Sequence, residues 1–280
     1  MFRSLSPGAL GVQVENLEAG LSLAARHGFD GYHFSIQEAA ALGTARVKDL
    51  CAETHVRLSA WGFPLDFRGD LQPYEQSLAE LPALAQTAAE LGIDRTATWI
   101  MPGSAERTYK ENFTFHVERL KPAGAILADH GIRLGLEYVA PKTLWSSQKY
   151  PFAHTMEQMA ELNHAIGLNL GFLLDSWHWY NARESTADLR HLSVDQVVDV
   201  HVNDAPDIPV DDQVDHVRCL PGATGVIDIA GFLSTLKEIG YTGPVMAEPF
   251  SQEVRDMDND AACAATKAGL DKIWGQAGLE

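Results

Sequence analysis

Leu170-Gly-Phe-Leu-Leu-Asp175-Ser-Trp-His178-Trp-Tyr180 carries the first decision about the fold. A short apolar run that stops at a carboxylate is too brief for a helix and reads as a strand buried on both faces, the kind found in parallel sheets. The same pattern recurs on either side. Arg133-Leu-Gly-Leu-Glu137-Tyr runs into a glutamate, Val197-Val-Asp-Val-His201-Val-Asn carries a histidine near its end, and Pro244-Val-Met-Ala-Glu248 closes on another glutamate.

Working toward the N-terminus, further strand-like runs fall at 95–101, 57–62, 31–35 and 9–14, which makes eight. Helical stretches fill the gaps. From Asn16 to His27 the apolar positions Leu17, Leu21, Leu23, Ala24 and Ala25 share a stripe, with Gly28 as a stop signal, and the Ala/Leu/Glu-rich stretch Tyr74 to Leu91 ends at Gly92. His27-Gly-Phe-Asp-Gly31 and Ile239-Gly-Tyr-Thr-Gly243 each read as a helix end, a glycine turn and entry into a strand. Regular alternation of strand and helix predicts an α/β protein, and a (β/α)8 barrel of about 250 residues fits the 280 of this chain as a single TIM-barrel domain over 1–280. A doubly wound open sheet would be expected to show a glycine-rich phosphate loop after its first strand, and no GxGxxG occurs between Gly11 and Gly20. The longest connections, 139–153 and 204–226, have the length of functional βα loops.

Composition narrows the partners. With 21 Lys plus Arg against 38 Asp plus Glu, the net charge of −17 repels polyanions, so nucleic acid is not an expected partner. Cys51, Cys219 and Cys263 are far apart and form no CxxC pair, which points away from disulfides and cysteine-zinc sites and toward a reducing cytoplasm. The N-terminal residues lack the apolar run of a signal peptide, and no stretch has the roughly 18 apolar residues of a membrane span. The stretch from Asp256 to Leu279 reads as a last helix whose alanine-rich face is suited to seal the barrel or to meet a second copy in a homo-oligomer.

In a barrel the C-terminal strand ends converge on one face, and that face holds the active site. Glu137, Asp175, His201 and Glu248 stand at four such ends and are therefore expected to meet, although far apart in sequence. Buried carboxylates are costly alone, and a cation removes the cost. Three carboxylates and one imidazole suit Mn, Mg, Co or Zn in a reactive site better than a structural zinc. Pairing of each carboxylate with a basic residue is the bland alternative. Near the same rim lie His178, in what reads as a polar and aromatic loop, and Arg218, whose guanidinium suits a substrate oxygen, carboxylate or phosphate. Trp61, Trp99, Trp177 and Trp179 are candidates for an apolar wall against a sugar ring, or for core. Asp204 suits a ligand or a turn, and His33 reads as a core histidine. Serine-hydrolase, Walker and HExxH motifs do not occur.

Leu136-Glu137, Leu174-Asp175-Ser-Trp-His178, Val200-His201-Val-Asn-Asp204, Pro221-Gly-Ala-Thr-Gly225-Val-Ile-Asp228 and Gly240-Tyr-Thr-Gly243 through Glu248 together resemble the xylose isomerase-like superfamily, in its sugar phosphate isomerase/epimerase branch. The resemblance runs from about residue 8 to 250, with its specific part in 133–250. It implies one divalent metal ion, often Mn, held by Glu137, Asp175, His201 and Glu248, with His178 and Arg218 on substrate oxygens. Endonuclease IV shares the fold but needs extra histidines for three zincs, and the third and fourth strands here end in Trp61-Gly-Phe and Thr96-Ala-Thr-Trp99-Ile without one.

The expected chemistry is metal-dependent isomerisation or epimerisation of a ketose or related keto-sugar through a metal-stabilised cis-enediolate. Glu137 and Glu248 would remove and return the proton from opposite faces of the reacting carbon. An inosose-type dehydratase, or a lyase acting on a keto-glycoside, begins with the same proton abstraction. A non-catalytic sugar-binding barrel is the reading from another class.

Overall fold

The computed structural model describes residues 1–167 and 169–279, so Glu280, the last residue of the expected domain, lies outside the described residues. Eight parallel strands close into a barrel: β1 (Phe2–Leu5), β2 (Gly31–Phe34), β3 (Arg57–Gly62), β4 (Arg95–Ile100), β5 (Arg133–Tyr138), β6 (Leu170–Asp175), β7 (Val197–Val202) and β8 (Pro244–Ala247), with β1 paired to both β2 and β8. Helices follow the strands and cover the outside, which is why β6 and β7 are buried along their whole length.

Seven of the expected strands fall where the sequence puts them, within a residue at each end, and the first does not. The 9–14 segment is no strand. Pro7 opens a short helix, Pro7–Leu10, which Gly11 ends in the left-handed region at φ 77. Val12 beyond it is buried in the core, so its apolar character reflects packing rather than pairing. The true β1 was disguised because its polar residue faces inward: Ser4 Oγ donates to Ser59 Oγ at 2.8 Å inside the barrel.

Close approach of the strands depends on glycine at β6. A Cβ on Gly171 would lie 2.4 Å from the Gln196 carbonyl oxygen, so no other residue fits without moving the backbone. Arg95 Nη1 donates to the Val198 carbonyl at 3.1 Å and Arg57 lies 4.4 Å over the Phe2 ring, so polar residues as well as apolar ones fill the N-terminal end. The helix Asn259–Gln276 buries Cys263, Leu270 and Ile273 against the barrel, and Arg3 reaches Asp271 at 2.5 Å across that seam.

At the C-terminal end the two long connections have structure of their own. The first contains the turn Lys142–Trp145 and a strand, Tyr150–Pro151, that pairs antiparallel with Gly103–Ser104. The second contains the 3-10 turn Val210–Asp212. Lys142 Nζ to Asp211 at 2.7 Å and Thr143 Oγ1 to the Gln213 carbonyl at 2.7 Å tie the two together beside the barrel mouth. Among the described residues no helix is long and apolar enough to cross a membrane, and Cys51, Cys219 and Cys263 are free thiols.

Candidate metal centre and active site

Parallel pairing sets Asp175 of β6 directly beside His201 of β7, and His201 beside Met246 of β8, two residues before Glu248. Glu137 comes from β5. One ligand atom from each of Glu137, Asp175, His201 and Glu248 lies within 4.8 Å of the others. His201 Nδ1 is 3.5 Å from Glu248 Oε2 and 4.0 Å from Glu137 Oε1, while its Nε2 faces Asp199 Oδ2 at 3.9 Å.

The donor set is short of positive charge. Burial, then the charge of Glu248, raises the Glu137 carboxyl well above the usual carboxylate range. Burial acts in the same direction on Glu248, but His201 and Arg218 outweigh it and hold that carboxyl at about 2. Burial alone would discharge His201, yet Glu248, Asp199 and Glu137 raise it to about 10. Two atoms of the cluster, Glu137 Oε1 and His201 Nδ1, are buried without a hydrogen-bond partner. Such atoms cost roughly 1–3 kcal/mol each when left unpaired, and one divalent cation would satisfy both and neutralise the carboxylates. The residues fit such an ion.

A second set of side chains holds two of these four, Asp175 and Glu248. Asn203 is fully buried, and its amide Nδ2 donates to both oxygens of Asp175 at 3.1 Å while its Oδ1 accepts from the Glu248 backbone N–H at 2.7 Å. Arg218 Nη1 donates to Asp175 Oδ2 at 2.8 Å and to Glu248 Oε2 at 3.3 Å, and Nη2 donates to Asp215 Oδ1 at 3.0 Å. Asn203, Asp199 and Asp215 were not singled out from sequence. Asn203 and Asp199 each stand two residues from His201, so they share its face of the strand, a signal the alternation rule could have used.

His178 lies in a helix, Ser176–Asn181, and not in a loop as expected. Asp175 caps that helix by accepting from the Trp177 backbone N–H at 2.8 Å, so the strand end and the helix start share one residue. The Ala140 backbone N–H donates to His178 Nδ1 at 3.2 Å, which leaves the proton on Nε2. That Nε2 is 3.8 Å from Glu137 Oε1 and 3.9 Å from Asp215 Oδ1. Burial, then the Arg218 charge, lowers His178 to about 4, so it is a neutral donor aimed at the cluster.

Above the four residues opens a cavity of about 470 Å³, lined by Glu137, Glu248, His178 and Arg218 on its polar side and by Trp99, Val139, Leu144 and Phe250 on its apolar side. Trp99 is 41% exposed, with the Arg68 guanidinium 3.9 Å over its ring. Trp61 and Trp177 have no exposed surface and Trp179 is buried, so these three belong to the apolar core and do not line the cavity. Asp204 serves a turn, accepting from the Thr224, Gly225 and Ile227 backbone N–H groups at 3.0, 2.7 and 3.1 Å. His33, half-buried in β2, is lowered to about 4 by burial and then by His201.

Residues 21–272 match the family described as xylose isomerase-like TIM barrel. The chain belongs to that family. An inosose isomerase of Bacillus velezensis is 24% identical over 85% of this chain and 85% of its own length. A 3-dehydroshikimate dehydratase of Pseudomonas putida is 26% identical over 91% of this chain, which spans only 39% of that protein. The solved structure of a xylose isomerase domain protein from Alicyclobacillus acidocaldarius superposes with a TM-score of 0.88 at 30% identity over 99% of both chains. The IOLI protein with a bound zinc atom has the same fold, with a TM-score of 0.80 at 21% identity over 99% of both chains.

Proposed function

We propose that the chain is a divalent-metal-dependent isomerase or epimerase of a ketose or related keto-sugar. The observation that carries this reading is the cluster of Glu137, Asp175, His201 and Glu248 at the barrel mouth, with two of its buried atoms unpaired. These four residues hold the ion, with Mn favoured by the three carboxylates and zinc supported by the IOLI likeness. When bound, the ion supplies Lewis-acid polarisation of a carbonyl and offsets the negative charge that grows as an α proton leaves.

The remaining chemistry belongs to the side chains. Glu137 and Glu248 approach the cavity from different strands and serve as the base that removes the α proton and the acid that returns it. The His178 Nε2–H, with its tautomer fixed by Ala140, donates to a substrate oxygen. Arg218 keeps Asp175 and Glu248 oriented and presents its remaining edge to the substrate, and Trp99 with Phe250 forms the apolar wall. The substrate is a small sugar-like molecule, and the enzyme works in the cytoplasm.

A dehydratase is the second reading, supported by the likeness to the Pseudomonas putida protein over nearly the whole of this chain. Proton removal is common to both, and expulsion of a β-hydroxyl replaces proton return. Incubating the Mn-loaded protein with an inosose, L-ribulose and 3-dehydroshikimate, and identifying products by NMR, separates them. An isomer or epimer supports the first reading, an unsaturated product the second, and no product from any of the three counts against both.

A further inference from the structure

Arg218 and Arg255 are the two guanidinium groups that line the cavity, and they are placed in opposite ways. Arg218 is 4% exposed and committed to Asp175, Asp215 and Glu248. Arg255 is exposed at the rim and makes no ion pair among the described residues, in a chain that carries 38 carboxylate side chains against 21 Lys plus Arg. Its stem is nevertheless packed. A Cβ on Gly11 would come within 3.0 Å of Arg255 Cγ, so the arginine stem rests on that glycine. Its head lies 5.8 Å from the centre of the Phe250 ring, and Arg218 lies 4.6 Å from the same ring.

Phe250 itself has φ 39, a left-handed conformation that is strained for a bulky residue. This conformation keeps the ring within 4.6 Å of the buried guanidinium and 5.8 Å of the exposed one. His216, also exposed, lines the same cavity. The floor of the cavity therefore carries the acidic cluster and the rim an uncommitted cation backed by an aromatic ring, with the apolar wall at Trp99 between other lining residues. A chain with net charge −17 repels a small anion at long range, so an anion enters only where local cations repay that repulsion.

We propose that the substrate carries an anionic group, a carboxylate or a phosphate, and that Arg255, beside Phe250 and on a cavity that His216 also lines, binds it while the hydroxy-ketone end sits over the acidic cluster. This rests on the proton-transfer reading above and narrows it from sugars in general to acidic ones. Arg255 is then the residue that sets specificity, and Arg218 orients the carboxylates.

The test uses the full Mn-loaded protein and two matched pairs of probes, 3-dehydroshikimate with its methyl ester and D-fructose 6-phosphate with D-fructose, with binding followed by tryptophan fluorescence. In at least one pair the anion should bind about tenfold tighter than its neutral partner, and the pair that shows this separates carboxylate from phosphate. Arg255→Gln should cut the preference to less than about threefold and leave the neutral partner and Mn binding unchanged, while Arg255→Lys should keep part of it. Equal binding within both pairs, including none, or a preference that survives Arg255→Gln, overturns the proposal. Solvent-proton exchange measured on the same samples tells the two claims apart. Exchange of neutral and anionic probes alike would leave the proton-transfer reading standing and remove this one. An Arg255-dependent preference without exchange would do the reverse.

Discussion

Arg218 Nη1 and Asp175 Oδ2 form an ion pair of 2.8 Å in which the two side chains are 1% and 0% exposed. Removing one partner of such a pair strands the other charge in a medium that cannot solvate it. Arg218→Met should therefore lower the unfolding free energy by about 3–5 kcal/mol, read from chemical denaturation of the metal-free protein. A loss below about 1 kcal/mol would show that the pair contributes no more than a solvent-exposed one.

Asn203 joins two of the proposed ligands through its side chain, donating to Asp175 and accepting from the Glu248 backbone. Supports of this kind typically change metal affinity by about 10–100-fold when mutated. Asn203→Ala should weaken Mn binding by that factor in calorimetric titration. Unchanged affinity would mean that the strands alone position the carboxylates.

Gly171 leaves no room for a methyl group, with the Gln196 carbonyl oxygen 2.4 Å and Val198 Cγ2 2.8 Å from the position a Cβ would take. Gly171→Ala should destabilise the barrel by about 1–3 kcal/mol and lower its melting temperature, because the obstruction is backbone and cannot rotate away. A melting temperature equal to that of the parent protein would show that β6 and the turn before β7 are free to separate.

Glu184 accepts from the Tyr138 hydroxyl at 2.5 Å and from the Met156 backbone N–H at 2.7 Å. Burial raises its carboxyl from 4.5 to about 7, although both hydrogen bonds act to lower it. The folded state thus holds this proton to a higher pH than the unfolded chain does. The stability it contributes is full below 4.5 and is lost as pH rises through about 7. Glu184→Gln stays neutral, so it should match the parent near pH 5 and exceed it by about 2–3 kcal/mol at pH 8 in denaturant unfolding. A variant that is less stable at both values would show that the ionised form is the one the fold needs.

Much of the barrel was legible because buried parallel strands read as short apolar runs, and because four of them end in a carboxylate or carry an imidazole. Glu137, Asp175, His201 and Glu248 stand out for that reason. The first strand was hidden by Ser4, which turns inward to Ser59, and by the apolar Val12, which packs without pairing. Asn203 shares the strand face of His201, so alternation could have marked it, but its bonds to Asp175 and to the Glu248 backbone join residues distant in sequence, and Asp215, three residues from Arg218, lies in a loop where no strand or helix period applies. Arg255 and Phe250 lie beyond the last strand end, where only the closed barrel brings them over the cluster. His178 looked like a loop residue because aromatic neighbours masked the short helix that Asp175 caps.

Glu137 and Glu248 are proposed to move a substrate proton, and with Asp175 and His201 they would hold the divalent ion that polarises the carbonyl. The most direct test is exchange of the α proton with D2O, followed by NMR on a turned-over hydroxy-ketone with Mn-loaded protein, metal-stripped protein, Glu137→Gln and Glu248→Gln. Exchange should require the metal and should fall by about 10²–10⁴-fold in each variant. Exchange that persists at the parent rate without metal, or in both variants, would contradict the account.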